Sequence, residues 1–402
     1  MKHISIALLL MMLGAGSVQA GGLWLNQYGD FASGRSSAGT AAGTDDAAAI
    51  IHNPAAGTRL AGSHVFGSAG AIIPEVEFDL DYTSPVNGDD NGGQAGLNAP
   101  VASFAYINDL GSDKWSVGIS SAGLAGAGLE YNQNWAGRFQ NTYVELLVLA
   151  ISPTVGYKVT DKLSLGLALQ YYYTTLDFEI ALPTIPGRDA GKGTLDGKDN
   201  GFSYALGAMY EFSDNTRLGI RYQGEIDADF DGNVKVQGSI LDRSIDSDTN
   251  LTMAALLRLG LYHQLNERWG LGVTIGWDDW SALDNVFVSL PEEGAALVKN
   301  WDDTYHYALG LEYAASRHWD LTGGIAYDSN PVSAHDRTAD LPVDRQVRYT
   351  GGARYQLRDN ISIGGYLNYT DLGSARISSE RWGGKYADNH VLEFSFSLSW
   401  AL

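Results

Sequence analysis

The sequence predicts an all-β fold: a transmembrane antiparallel β-barrel of about fourteen strands, with an N-terminal hatch, or plug, inside its lumen. Three observations carry that reading. Apolar residues alternate with small or polar ones at period two, up to the last residue. The face opposite the apolar one is mainly Gly, Ser, Thr and Ala, so it lacks the dense charge of a water-facing sheet. The chain also opens with an export leader, followed by a segment of quite different composition.

The leader comes first. Lys2 and His3 give a basic start, residues 4–16 are apolar, and Val18-Gln19-Ala20 offers the small residues a signal peptidase reads. Residues 1–20 are therefore expected to be a signal peptide cleaved before Gly21. The apolar run falls short of the roughly 20 residues a helix needs to cross a bilayer. Residues 21–61 follow, rich in Gly, Ala and Ser and without alternation. Leu23, Trp24, Leu25, Ile50 and Ile51 favour packing over a disordered tail, and a barrel of this girth has a lumen to fill. This segment is expected to be the hatch, and residues 62–402 the barrel.

Alternating segments place strands near 63–73, 100–108, 114–122, 143–159, 163–179, 200–212 and 215–230. The second half adds 251–264, 269–288, 303–314, 318–328, 344–357, 360–371 and 389–401, giving the even total of single-chain bacterial barrels. The pattern is plainest at the C-terminus. There Leu392, Phe394, Phe396, Leu398, Trp400 and Leu402 share one face, against Glu393, Ser395, Ser397, Ser399 and Ala401. Trp115, Tyr157, Trp269, Trp319 and Trp400 sit at strand ends, where membrane interfaces favour aromatic rings. Short turns near 160–162, 213–215, 266–267 and 358–360 mark the periplasmic end, and longer stretches at 181–199, 231–250 and 372–388 the outer loops. Asp227, Asp229, Asp231, Asp242, Asp246 and Asp248 read as solvated charge in those loops, with divalent-ion capture as the alternative.

Composition narrows the function. Cysteine is absent, so closed hydrogen bonding rather than disulfides must hold an exported chain together. A net charge of −21 disfavours nucleic acid as a partner. The sequence carries no Gly-x-Ser-x-Gly, His-Glu-x-x-His, P-loop or cysteine metal set, so no enzyme, cofactor or metal is expected. Strand parity turns Arg217, Arg221, Arg258, Arg348 and Arg354 into the lumen with Glu211, Glu312 and Glu393. A basic residue facing lipid at mid-bilayer would cost about 2–4 kcal/mol. Two roles remain open for these arginines: pairing with luminal carboxylates to hold the hatch, or gripping the carboxylate of a cargo through charge-assisted hydrogen bonds.

Several blocks together resemble a known family. Asp45-Asp46-Ala47 precedes Asn53-Pro54-Ala55, Trp135-Ala136-Gly137-Arg138 precedes Ile151-Ser152-Pro153, and Trp280-Ser281 closes a strand. Trp301-Asp302-Asp303-Thr304, Ala326-Tyr327-Asp328-Ser329-Asn330-Pro331-Val332, Leu341-Pro342 and Asp344-Arg345 follow in order. The chain is similar to the FadL/TodX outer-membrane transporters of long-chain fatty acids and aromatic hydrocarbons. That resemblance implies passive, ligand-gated uptake through a hatch-plugged barrel of the outer membrane, with sideways exit beside a kink in the third strand. It makes Asp45, Asp46, Asn53, Pro54 and Ala55 candidates for hatch gating, and Gly118, Gly123, Gly126 and Gly128 candidates for the kink. Arg138, Arg221, Arg258 and Arg348 are the candidates for holding a carboxylate. The chain departs from relatives in Gly126-Ala127-Gly128, where Pro-Phe-Gly is frequent, and in ending on Leu402 rather than Phe or Trp. Expected partners are a hydrophobic small molecule, the bilayer with its lipopolysaccharide, and the outer-membrane assembly machinery, for a monomer. An aromatic or alkane hydrocarbon channel is the alternative within the class, and a structural or adhesion barrel the alternative outside it.

Overall fold

A computed structural model describes residues 23–182, 191–238, 242–283, 285–289 and 294–402, with backbone alone for 243, 285–289 and 294–298. The expected signal peptide lies outside the described residues. Most of the chain after residue 62 is strand, because within a bilayer the backbone's donors and acceptors must bond to one another. The first six strands are β1 (Ser63–Thr83), β2 (Ala99–Asn108), β3 (Trp115–Glu130), β4 (Tyr143–Lys158), β5 (Leu163–Ala181) and β6 (Lys192–Ser213). Four wall positions are then each made of two strands in series. These are β7 (Thr216–Gln223) with β8 (Ile226–Gln237), and β9 (Arg243–Met253) with β10 (Leu256–Gln264). The others are β11 (Trp269–Asp278) with β12 (Asn285–Ser289), and β13 (Gly294–Val298) with β14 (Thr304–Ala314). The wall ends with β15 (Trp319–Asp328), β16 (Gln346–Arg358), β17 (Ile361–Asp371), the short β18 (Ile377–Ser378) and β19 (Trp382–Ala401).

Each strand pairs antiparallel with its neighbours, and β19 returns to β1 in the register Phe66↔Ser399, so the sheet closes into a fourteen-position barrel. Closure removes the open edges that lipid could not satisfy. Around the middle, Leu165, Leu167 and Leu169 on β5 and Leu392, Phe394 and Phe396 on β19 face outward and are exposed, as a lipid-facing belt requires. Aromatic pairs ring the short-turn end, with centroids 4.4 Å apart for Trp115–Tyr157, 4.5 Å for Trp269–Tyr313 and 4.9 Å for Trp319–Tyr355.

The outer loops are shorter than the sequence reading places them. Residues 192–199 belong to β6, 231–237 to β8, 243–250 to β9 and 382–388 to β19, so much of the expected loop sequence is strand. The cause is an inversion of the apolar face above the bilayer. On β8, Ile226, Ala228 and Phe230 turn inward while Asp227, Asp229 and Asp231 are exposed outside. On β1, Val76 and Phe78 turn inward and Glu77 and Asp79 outward. The period of two persists where the lipid stops, but its phase flips because water replaces hydrocarbon outside. The aspartates at 227, 229 and 231 are therefore ladder residues rather than loop residues, and two are held by neighbours: Asn250 Nδ2 donates to Asp229 at 2.7 Å and Thr252 Oγ1 to Asp227 at 2.8 Å.

Candidate functional site

The N-terminal segment lies within the wall. Two 3-10 turns (Phe31–Arg35 and Thr40–Ala42), the short helix α1 (Ala49–His52) and a third 3-10 turn (Pro54–Arg59) pack on strands from both halves of the barrel. Asn53 is fully buried. Its Oδ1 accepts from Ala55 N at 2.9 Å, and its Nδ2 donates to the carbonyls of Ala41, of Ala208 on β6 and of Ile220 on β7. The side chain thus caps its own turn and ties that turn to the wall, while Pro54 opens the 3-10 turn with its fixed φ. Two wall glycines make the approach feasible. A Cβ on Gly207 would lie 1.9 Å from Asn53 Oδ1, and one on Gly166 2.2 Å from Ala55 N. The sequence reading missed both glycines, which look like any other small residue of the inward face.

Asp45 and Asp46 part company. Asp45 is exposed; Asp46 is buried and accepts from Ala48 N at 3.0 Å and from Ser399 Oγ, on the last strand, at 3.1 Å. Burial, with Asp30 nearby, pushes the Asp46 carboxyl up to about 6. Asp30 itself bonds His52 Nε2 at 3.0 Å. Burial would raise its carboxyl too, but His52, Ser33 and Arg35 outweigh that and hold it below the usual carboxylate range.

Around this segment runs a belt of inward polar side chains. Arg258 bonds both oxygens of Asp278, at 2.7 and 3.1 Å, and reaches Asn26 Oδ1 at 3.2 Å. Asp328 holds His306 at 2.7 Å and Arg348 at 3.2 Å. Arg35 of the N-terminal segment bonds Glu312 at 2.7 Å, and Asn368 Nδ2 donates to Gln27 at 3.0 Å and to Glu393 at 3.2 Å. Of the four arginines proposed to hold a carboxylate, Arg258 and Arg348 are thus already paired, with strand-end aspartates. Arg138 donates to the carbonyls of Val86, Asn87, Asn134 and Trp135 and so fastens one outer loop to another. Arg221 differs. Among the described residues it has no ion pair, and its bonds run to Gln223 and Tyr28.

Above the belt the interior turns apolar. Trp24 sits among Trp280 and Trp301 (Trp24–Trp280 6.3 Å, Trp280–Trp301 5.3 Å) and donates its Nε1 to Ala254 O across the lumen at 3.1 Å. Nearer the outside, Phe78, Tyr131, Trp135, Trp382 and Tyr386 form a packed aromatic cap, with Tyr131 stacked on Trp135 at 4.0 Å.

The wall beside this apolar region is incomplete. β2 has ten residues, and β3 pairs with it only from Val117 to Ala122. Beyond that point β3 loses its wall neighbour on one side, and its register slips between Gly123 and Ala125, the mark of a bulge at Leu124. The freed edge is taken up from within. Leu25 N donates to Leu124 O at 2.8 Å, Gly126 N to Leu23 O at 3.3 Å, and Trp24 faces Ala125 as a bridge partner. Higher up, Leu97 N and Ala95 O, from the β1–β2 loop, bond Gly128 and Glu130. Gly123, Gly126 and Gly128 all lie along this edge. Gly118 does not: it sits in the regular ladder opposite Ile107 and Thr154, with Ile50 packed on it. Pro100 on β2, which has no N–H to give, was the overlooked sequence sign of a strand with a free side.

Residues 11–394 match the model of the outer membrane protein transport proteins, OMPP1/FadL/TodX. The chain belongs to this family. Outer membrane protein P1 of Haemophilus influenzae is 24% identical over 428 residues, covering 95% of this chain and 91% of that protein. The long-chain fatty acid transport protein of Salmonella typhi is 23% identical over 389 residues, covering 89% of each. In three dimensions the chain is similar to a Pseudomonas aeruginosa FadL homologue, with a TM-score of 0.87, 19% identity, and 94% and 99% of the two chains covered. It is also similar to the Pseudomonas putida toluene transporter TodX, with a TM-score of 0.73, 18% identity, and the same coverage. As a FadL/TodX family member the protein resides in the outer membrane and is a transport channel, not an enzyme.

Proposed function

We propose that this FadL/TodX member passively takes up hydrophobic molecules, long-chain fatty acids foremost, under the control of the cargo itself, and releases them sideways through the gap between β2 and β3. Residues 21–61 act in this reading as the hatch. Asn53, Pro54 and Ala55 anchor it, and Asp45 and Asp46 lie at its periplasmic side. The observation that carries the proposal is one of connectivity. Leu23 and Trp24, which fill the apolar interior, are the residues whose backbone closes the free edge of β3. A cargo that displaces them from the interior therefore also unseals the wall.

The energetics allow such an exchange. Burying an aromatic side chain removes about 150–250 Å² from water, and an acyl chain in the same space recovers a comparable amount at about 25 cal/mol per Å². The two backbone bonds to β3 add only about 1 kcal/mol each. Exit direction follows from the belt: towards β3 and β4 its charges give way to Leu124, Val148 and Ala150. Leaving there into lipid spares the cargo any return to water. The test is proteoliposome uptake of radiolabelled oleate and of toluene, with ion conductance recorded in parallel. Oleate is expected to enter without ion leakage. Faster entry of toluene would assign the chain to hydrocarbons, and conductance without uptake of either would defeat the proposal.

A further inference from the structure

On the outer surface of the wall, where β17 and β19 separate above the lipid belt, lies a hollow of about 410 Å³. That is within the roughly 300–1,000 Å³ usual for small-molecule sites. It faces away from the lumen. Along β17, Tyr366, Asn368 and Thr370 turn inward and are buried, so Tyr369 and Asp371 lie on the outer face. On β19, Val391 turns inward and His390, opposite Asp371, outward. The two strands pair as far as that point. Ile377 then meets Gly384 through β18, and Gly373 and Ala387, in the stretches between, line the hollow. Asp344 and Arg345, from the β15–β16 connection, line it too.

Its chemistry is that of an acceptor surface. Asp344, Asp371 and Asp388 set three carboxylates against the one guanidinium of Arg345. Arg345 and His390, which could meet an anion, already face carboxylates: Arg345 bonds Asp371 at 3.0 Å, and His390 lies 3.4 Å from Glu75. The Asp388 carboxylate is exposed and, among the described residues, has neither ion pair nor hydrogen bond. Asn389 is 6% exposed and donates its Nδ2 to the carbonyls of Pro342 at 2.9 Å and Gly373 at 3.1 Å, while its Oδ1 has no partner. A buried acceptor left unfilled is costly, so a ligand here must bring donors. Anions are repelled, since a hollow made for phosphate would be basic. A single cation does not fit either, because its ligands must converge to about 2.3–2.6 Å from one point. Among the described residues no three carboxylate or imidazole groups stand close enough together to hold a metal ion. Spaced acceptors call for an extended ligand with many donors, which is the chemistry of a sugar's hydroxyls. The Tyr369 ring, exposed and tilted at 32° to His390 with centroids 5.2 Å apart, offers a flat apolar face to the C–H side of such a sugar.

We propose that this hollow binds the sugar headgroup of a glycolipid of the outer leaflet. The source follows from what lies beneath. Leu367 and Phe394 pair across the same two strands, Leu392 stands opposite Tyr369, and all three are exposed. A lipid with its acyl chains along this strip carries its head at the height of Asp371 and Asp388. Bound there, it joins the β15–β16 connection to the β17–β19 one. Leu341, Val343 and Leu372 of these connections are buried in the apolar interior, so the lipid steadies the cover of the lumen from outside.

The test places the full chain in phosphatidylcholine nanodiscs. These are doped with a dioleoyl lipid bearing a lactosyl head, doped with dioleoyl phosphatidylglycerol, or left undoped with free lactose in solution. Deuterium exchange of the amides at 372–376 and 386–390 reports occupancy. The lactosyl lipid is expected to slow it about threefold or more and phosphatidylglycerol to leave it unchanged. Free lactose, without a tail to bury, should need a concentration higher by about tenfold or more. Asp388→Leu, at an exposed position, should weaken the lactosyl lipid about tenfold, the scale of one hydrogen bond to a charged acceptor, and Asp388→Asn, which keeps an acceptor, should weaken it less. Equal protection by the two lipids, no protection by the lactosyl lipid, or binding in Asp388→Leu within about twofold of the unaltered protein overturns the sugar site. Lactose that binds as well as the lipid overturns the glycolipid as its source.

Discussion

Asn53 shows how much one residue can carry. Removing its amide deletes the cap on Ala55 N and the bonds it donates to the wall carbonyls of Ala208 and Ile220. Asn53→Ala is expected to weaken hatch docking by about 2–3 kcal/mol, seen as lost amide protection over residues 49–59, and to impair uptake while the barrel inserts normally. Gly207→Ala should do similar damage from the other side, because its methyl would occupy the place of Asn53 Oδ1. The two costs should not add, since the second change removes a contact that the first has already lost. Full additivity in hydrogen exchange would falsify the shared contact.

Asp46 gives the hatch a pH dependence of definite sign. Its carboxyl is raised from 3.8 to about 6, so over that window the docked hatch binds more protons than the released one. Docking is therefore favoured at low pH and weakens as pH rises from about 4 to about 6. Asp30, held low by His52, works the other way and loses its contribution as pH falls. Protection of residues 44–50, corrected for intrinsic exchange, should fall across the upper window in the unaltered protein and stay flat there in Asp46→Asn. A parallel fall in both proteins would exclude Asp46 as the cause.

At the level of elements, β3 decides the character of the wall. It parts from β2 after Ala122, although β2 runs on to Ala99, and Leu23, Trp24 and Leu25 add themselves to the freed edge as a fragment of strand. Because the chain has no cysteine, the contact can be locked cleanly. In the double variant Leu25→Cys, Leu124→Cys the two positions lie opposite one another, and oxidation should close the gap. Uptake is then expected to drop at least tenfold and to return on reduction, whereas either single variant should respond to neither treatment. Uptake that persists through a quantitatively formed crosslink would mean that cargo leaves elsewhere. The strands also show where element boundaries escape a sequence reading. On β8 the alternation Ile226, Ala228, Phe230 against Asp227, Asp229, Asp231 is regular, but with its apolar face turned inward it looked like charged loop.

For the whole molecule, the packing divides the lumen into layers: hatch and ion pairs towards the short-turn end, then the belt, then apolar side chains beneath an aromatic cap. Deleting residues 21–61 should convert a sealed channel into one that conducts ions, with the strands from 62 onward still inserting, since only the bonds on the free edge of β3 involve the deleted part. Planar-bilayer recordings check this. An absence of conductance in correctly inserted protein would show that the aromatic cap of Phe78, Tyr131, Trp135, Trp382 and Tyr386 seals the pore on its own.

The barrel itself could be read directly from the chain. Period two, a small-residue inner face and aromatic strand ends are local properties, and lipid outside leaves few other ways to satisfy such a backbone. The inward parity of Arg221, Arg258 and Arg348 was equally plain, because a charge facing hydrocarbon is too costly to tolerate. What parity could not say was which arginine is already answered. Asp278 and Asp328 come from other strands, and their pairing with Arg258 and Arg348 depends on register and on the girth of the closed barrel. The opening beside β3 was beyond sequence for the same reason. It exists because β3 bulges away from β2 after Ala122, and the N-terminus, some hundred positions away, supplies the missing hydrogen bonds. Local pattern determined the wall and its two faces; only the closed tertiary structure decided where that wall is left open, what covers the opening, and which arginines inside are answered by a carboxylate.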